Sequence, residues 1–314
     1  MRVTPVAFPN RDGLQLSGVV HEPDPQAARG VCVLLLSPGI KGRVGPHRLY
    51  LKMAARLVPL GYHVLRFDYH GLGDSAGELA ERVLADVYCG VQSGRYVDDT
   101  RAAMDWFGRE YGVERFVASG LCGGAISGLL AAAVDNRIQA AWCLGVPVTF
   151  DGGQENWGRY LTKGQLDDLK GAYLRKIASP RAWGRFLSGR SSYEVIWKIV
   201  RRMLGRGTPA PSPPARGSGP DAPPPDNANP KFASSFFAIV ESDRPVLLVF
   251  SGGDRLGWEF DEKFAARHGE RLAALQDRFE VFTVEGANHI LSDRRWVEQM
   301  LDHSVAWLEQ VRTA

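Results

Sequence analysis

The sequence has few cysteines, no long apolar run and little net charge, and each shortage closes off a class of protein. Its 314 residues include four cysteines, Cys32, Cys89, Cys122 and Cys143, widely spaced and without a CxxC pair. No His-rich pair has metal-ligand spacing either, so neither a metal nor an organic cofactor is expected. No basic-then-apolar leader opens the chain, and no apolar run approaches the roughly 18 residues that span a membrane. Disulfides are therefore not expected, and the expected location is a reducing cytoplasm. The formal net charge is +3, from 38 Lys and Arg against 35 Asp and Glu. That balance does not suit a nucleic-acid-binding chain. Composition leaves the oligomeric state open.

What is present is a hydrophobic content of 45%, ordinary for a globular protein, in short runs that alternate in kind. "VCVLLLSPG" (31–39) reads as a strand ending in a Pro-Gly turn, and "HRLYLKMAARLVPLGY" (47–62) as a helix. The strand-like runs at 63–77, 114–120 and 139–146 are interleaved with helix-like runs at 96–112 and 123–134. The alternation resumes with strands at 245–254 and 279–290 and helices near 259–275 and 293–312. The opening residues read as an antiparallel edge hairpin turning at Arg11-Asp12-Gly13. Short apolar strands separated by helices predict an α/β fold with a mostly parallel central sheet flanked by helices.

The pattern breaks between the two halves. Residues 155–206 are aromatic and basic, with 12 Lys or Arg against four Asp or Glu. In 207–230, nine of 24 residues are proline, too many for a packed core. The expected organisation is a core formed by 1–150 and 236–314, a helical cap at 151–206 and a disordered loop at 207–230.

"ASGLCGG" (118–124) carries the chemistry. Cys122 is the centre of Gly-x-Cys-x-Gly, at a strand-to-helix junction. Glycines on both sides permit a turn tight enough to lift one side chain clear of the chain. A helix N-terminus favours a thiolate, the reactive form of cysteine. A bland reading competes, because free cysteines are commonly inert core residues. Cys32 and Cys143, inside strand-like runs, fit that reading; Cys122 does not.

A nucleophile of this kind needs an orienting acid, a base and an oxyanion site. "VLLVFSGGD" places Asp254 after a later strand, at the same sheet edge as Cys122, and "FTVEGANHI" places His289 after the next. Asp261 is the next candidate acid, whereas Asp243 precedes its strand and lies at the wrong edge. The backbone N–H groups of Gly123 and Ile40, the latter in "SPGIKG", are the expected oxyanion donors. Asp74 and Ser75 are expected to hold their loop through hydrogen bonds to the backbone.

With nucleophile, acid and histidine in that order, and with "LRFDYHGLGDSAG" before them, the chain resembles the α/β-hydrolase superfamily over about 15–150 and 240–312. "GLCGGA" with "SPRAWGRFLSG" also resembles the hydrolases associated with bacterial exosortase systems. Cysteine in place of serine is the departure from the usual pattern, one that dienelactone hydrolases and polyhydroxyalkanoate synthases share. The resemblance implies acyl transfer through a cysteinyl thioester, with an acyl thioester of coenzyme A or an acyl-carrier protein as expected substrate. Hydrolysis as a thioesterase or esterase is the leading expectation. An acyltransferase using an alcohol or amine, a dienelactone-type hydrolase and a non-catalytic ligand-binding member remain as alternatives. His47, His70, Trp157, Trp183 and Trp197 are candidates for the substrate pocket, although the two histidines also fit as exposed loop polars.

Overall fold

In the computed structural model, residues 2–81, 83–150 and 226–311 are described. The chain divides into two compact units, Met1–Glu155 with Asn227–Ala314, and Asn156–Asp226. The cap expected at 151–206, most of the proline-rich stretch, and Trp157, Trp183 and Trp197 lie outside the described residues.

The first unit is built on eight strands. They are β1 (Arg2–Pro9), β2 (Gln15–Glu22), β3 (Val31–Leu36), β4 (His63–Phe67), β5 (Arg115–Leu121), β6 (Ile138–Leu144), β7 (Val246–Ser251) and β8 (Phe279–Val284). Their spatial order is β1-β2-β4-β3-β5-β6-β7-β8. β1 and β2 pair antiparallel, as do β2 and β4, while every pairing from β4 through β3 to β8 is parallel. Asn10 makes the first turn, its side-chain oxygen accepting from the N–H groups of Asp12 and Leu14 at 3.0 and 2.9 Å.

Every residue of β3 and of β7 is buried, as expected of parallel strands covered on both faces. Alternate residues feed two cores. Leu34 and Leu36 pack with α3 (Val97–Tyr111), α4 (Gly123–Val134) and α5 (Pro230–Val240). Val33 and Leu35 share the other core with α1 (Leu49–Leu57) and α8 (Arg294–Gln310), to which Met53, Trp142, Met300 and Trp307 also belong. α2 spans Leu84–Gln92. The helix expected over 259–275 is divided. α6 covers Arg255–Lys263 and α7 covers Gly269–Ala274, with a single tight turn at Ala265–Arg267 between them. Phe264 at the break sits edge-on to Phe232 and Phe236 of α5, so core packing draws the chain out of line.

The two ends of the core that flank residues 151–225 meet as a short antiparallel seam. Thr149 is bridged to Ala228, the Phe150 N–H donates to the Asn227 carbonyl at 2.9 Å, and the Asn229 N–H donates to the Val148 carbonyl at 2.8 Å. Side chains anchor both sides: Thr149 Oγ1 to Glu259 at 2.9 Å, and Asn229 Nδ2 to the Gln92 carbonyl at 2.9 Å. The last residues of the proline-rich stretch thus belong to the core. Asn229 caps α5 by accepting from the Lys231 N–H at 3.0 Å, and Pro230 occupies the first turn.

Candidate active site

β5 delivers Cys122 to the edge of the sheet. Cys122 lies immediately before α4 with φ 54° and ψ −113°, a conformation that L-residues seldom adopt. Such a backbone costs on the order of 1–3 kcal/mol and persists only where its surroundings hold it. They do so from both sides. The Cys122 N–H donates to the Leu144 carbonyl on β6 at 2.8 Å, and its carbonyl accepts from the Ile126 N–H at 3.1 Å.

The neighbouring glycines are required by contact rather than by flexibility. A Cβ on Gly124 would stand 2.1 Å from the Leu36 carbonyl oxygen, and one on Gly120 would stand 2.6 Å from the Gly124 backbone. On Gly123 it would stand 2.6 Å from Gly39 Cα. The loop after β3 therefore runs against the start of α4, with Ile40 next to the point of contact. Among the described residues, neither the Gly123 N–H nor the Ile40 N–H donates a hydrogen bond.

The other half of the site comes from the loops after β7 and β8, which are bonded to each other through the backbone. The Gly252 N–H donates to the Val284 carbonyl at 2.9 Å and the Gly253 N–H to the Ala287 carbonyl at 2.8 Å. Asp254 follows at the N-terminus of α6. His289 follows in a turn where the Asn288 side-chain oxygen accepts from the Ser292 N–H at 3.1 Å. His289 Nδ1 meets Asp254 Oδ2 at 2.6 Å, with the aspartate 12% and the histidine 35% exposed. Cys122 lies close enough to His289 to act on its ionisation. Burial pulls the imidazole down, but the bond to Asp254, the closeness of Cys122 and the charge on both outweigh it, and His289 is raised to about 10. Gly145, at φ 51°, leaves space for the ring, since a Cβ there would lie 3.4 Å from His289 Cε1.

The structure thus brings Cys122 beside His289, which Asp254 holds by a hydrogen bond, next to Gly123 and Ile40. Neither His47 nor His70 bonds to any of the three. His47 is exposed in the turn before α1, and His70 is held by Asp99, Nδ1 to Oδ2 at 2.8 Å. Asp261 is exposed on α6, and Asp243 pairs with Arg278 at 2.5 Å. Ser75 bonds the backbone, Oγ to the Asp68 carbonyl at 2.6 Å. The Asp74 side chain departs from expectation and pairs with Arg43 at 2.6 Å.

Sequence reasoning passed over Asp68 and Arg43. The Asp68 carboxylate, 1% exposed, bonds the Arg43 guanidinium, the Arg43 N–H at 2.5 Å and the Asp74 N–H at 3.2 Å. It ties the loop bearing Ile40 to the loop after β4. A usable signal was an aspartate at the end of an apolar strand, where an unpaired carboxylate would be costly to bury. Among the described residues no group of side chains could hold a metal ion, and no helix is long and apolar enough to cross a membrane.

No protein-family model and no curated protein matches the chain. Solved structures do. An esterase of Pyrococcus furiosus, Pf2001, aligns with a TM-score of 0.58 at 16% identity, covering 98% of this chain and 91% of its own. XC6422 of Xanthomonas campestris, an α/β serine hydrolase without a lid, aligns at 0.51 and 16% identity, covering 98% and 95%. The α/β hydrolase GrgF of Penicillium sp. sh18 aligns at 0.53 and 18% identity, covering 99% of each. The strand order and these likenesses define the class: the chain has the α/β-hydrolase fold.

Proposed function

We propose that the protein is an acyl-transfer enzyme working through a thioester on Cys122, with an acyl thioester as donor and water as acceptor. The observation that supports this reading most is the Asp254–His289 bond set beside Cys122, which stands on a strained elbow next to two N–H groups with no partner among the described residues. A raised His289 keeps its proton at neutral pH and sets a cation beside the sulfur, the kind of neighbour that favours a thiolate.

The thiolate Sγ attacks the substrate carbonyl carbon, and the oxyanion forms against the Gly123 and Ile40 N–H groups. The tetrahedral intermediate collapses with cleavage of the bond to the leaving thiolate, which takes the His289 proton. Neutral His289 then accepts a proton from water as that water attacks the acyl-enzyme. The second intermediate expels the Cys122 thiolate, releases the acid and leaves the imidazolium in place. Asp254 keeps the ring orientation and stabilises its positive form.

Cysteine favours a second acceptor as well. A thioester on Cys122 stays activated towards amines and alcohols, so the same first half serves an acyltransferase. The excess of 12 basic over four acidic residues in 155–206 favours an acidic donor, such as a coenzyme A or carrier-protein thioester. Intact-protein mass spectrometry after incubation with a panel of acyl thioesters tests both readings. One acyl mass on Cys122, absent in Cys122→Ala, is expected, and release by water or by an added amine separates hydrolase from transferase. No adduct and no turnover with any thioester or ester would leave the ligand-binding alternative.

A further inference from the structure

Tyr50 is the one polar side chain of α1 that is fully buried, and its hydroxyl reaches both strands that carry the site. It donates to the Leu36 carbonyl at 2.6 Å and accepts from the Leu121 N–H at 2.8 Å. Leu36 ends β3 and is paired with Gly120, the last pair in the β3–β5 register. Because the Cys122 N–H is committed to β6, strand alternation turns the Leu121 N–H towards β3. The hydroxyl therefore spans the last rung between the two strands. Beyond it, β3 continues to Ile40 and β5 to Cys122, and Pro38 has no N–H with which to make another rung.

The approach to Tyr50 is unusual. Gly45, His47 and Arg48 have φ values of 68°, 49° and 59°, and the Tyr50 N–H reaches back to the Val44 carbonyl at 3.2 Å. A Cβ on Gly45 would lie 3.3 Å from the tyrosine ring. Burial pushes the phenol well up; the Leu121 N–H opposes this and a negative charge on Cys122 adds to it. The group remains a protonated donor, close enough to the nucleophile to sense its charge. A leucine or phenylalanine would fill the same space without the hydroxyl, which burial penalises unless its bonds are made.

We propose that Tyr50 is a positioning residue: its hydroxyl fixes how β3 and β5 part, and so sets the distance from Cys122 to the Ile40 N–H. This rests on Cys122 being the nucleophile. The test compares Tyr50→Phe with Leu57→Ala, a cavity in the same helix and the same core cluster. Tyr50→Phe is expected to lower kcat on an acyl thioester roughly 10- to 100-fold with KM nearly unchanged, as misplacement by a fraction of an ångström does. Alkylation of Cys122 by iodoacetamide should slow several-fold in parallel. Leu57→Ala should lower the melting temperature at least as far and leave both rates alone.

Wild-type rates in Tyr50→Phe, or the same losses in Leu57→Ala, would overturn the proposal. If the wild-type protein turns over no thioester, the functional reading fails, while the alkylation rates still decide the role of Tyr50. If Tyr50→Phe does not fold, amide exchange on the wild-type chain decides it. Leu121 should be protected like Ala118 in mid-strand, and exchange at loop rates would refute the bond.

Discussion

The two halves of the site are held by different physics. Around Cys122 the constraint is steric: Gly120, Gly123 and Gly124 each touch other backbone where a Cβ would need to be. Around Asp254 and His289 the constraint is hydrogen bonding, with two backbone bonds joining their loops and one carboxylate bond orienting the ring. A steric constraint admits one residue type and fails abruptly. A bonded one keeps the fold when a bond is lost, but gives up the orientation that the bond supplied. The nucleophile's place is thus fixed by what is absent from the side chains, and the base's by what its neighbours donate.

Activity should show how much the bonded half contributes. His289→Ala is expected to lower thioester turnover by roughly four orders of magnitude, and Asp254→Asn by nearly as much through loss of the correct tautomer. Steady-state kinetics on folded protein measures both. Full activity in Asp254→Asn would move the acid to another residue, with Asp261 next to examine.

Stability should show the steric half failing abruptly. Gly124→Ala drives a methyl group into the Leu36 carbonyl and is expected to cost about 3 kcal/mol, at the upper end of overpacking effects. Urea denaturation measures the loss, and a cost below about 1 kcal/mol would mean that the elbow yields. Cys122→Gly should act in the opposite direction. It relieves the backbone at φ 54° and is expected to stabilise the fold by about 1 kcal/mol, net of the entropy of an added glycine, while abolishing the adduct.

The smallest expected effect is a plateau. With His289 raised to about 10, the imidazolium largely keeps its proton between pH 7 and 9. Iodoacetamide alkylation of Cys122 should therefore be flat across that window in the wild type and climb with pH in His289→Ala. The linkage has a sign. A group that rises from 6.5 to about 10 on folding contributes stability in full below pH 6.5 and loses it as pH climbs through 10. Melting temperatures measured from pH 6 to 10 should fall more in the wild type than in His289→Gln.

The steric half was the more legible from sequence, since a strand that runs into a cysteine with a glycine on each side makes a turn that packing alone does not require. Asp254 and His289 were legible only through chain order, because nothing local distinguishes them from Asp261 or His268. Tyr50 was invisible: inside an apolar helical pattern it reads as packing, and only the structure shows that its oxygen is bonded twice to backbone. α5 was hidden by its surroundings. Asn229-Pro230 is a helix-start signal, but it closes a run whose proline content reads as loop. The break at Phe264 comes from aromatic contacts with α5, distant in sequence and beyond the reach of helical periodicity.

The seam between Val148–Phe150 and Asn227–Asn229 has a consequence for how such a chain can change over generations. By bonding the two ends together, the core has already met most of the entropic cost of closing whatever lies between them. Further length is cheap, since each doubling of a flexible loop adds only about 0.6 kcal/mol. The seam is therefore a port at which segments can be lengthened, shortened or exchanged while the sheet and the elbow keep their shape. The length between the seam's two sides and the architecture of the core can then change at separate rates within one chain.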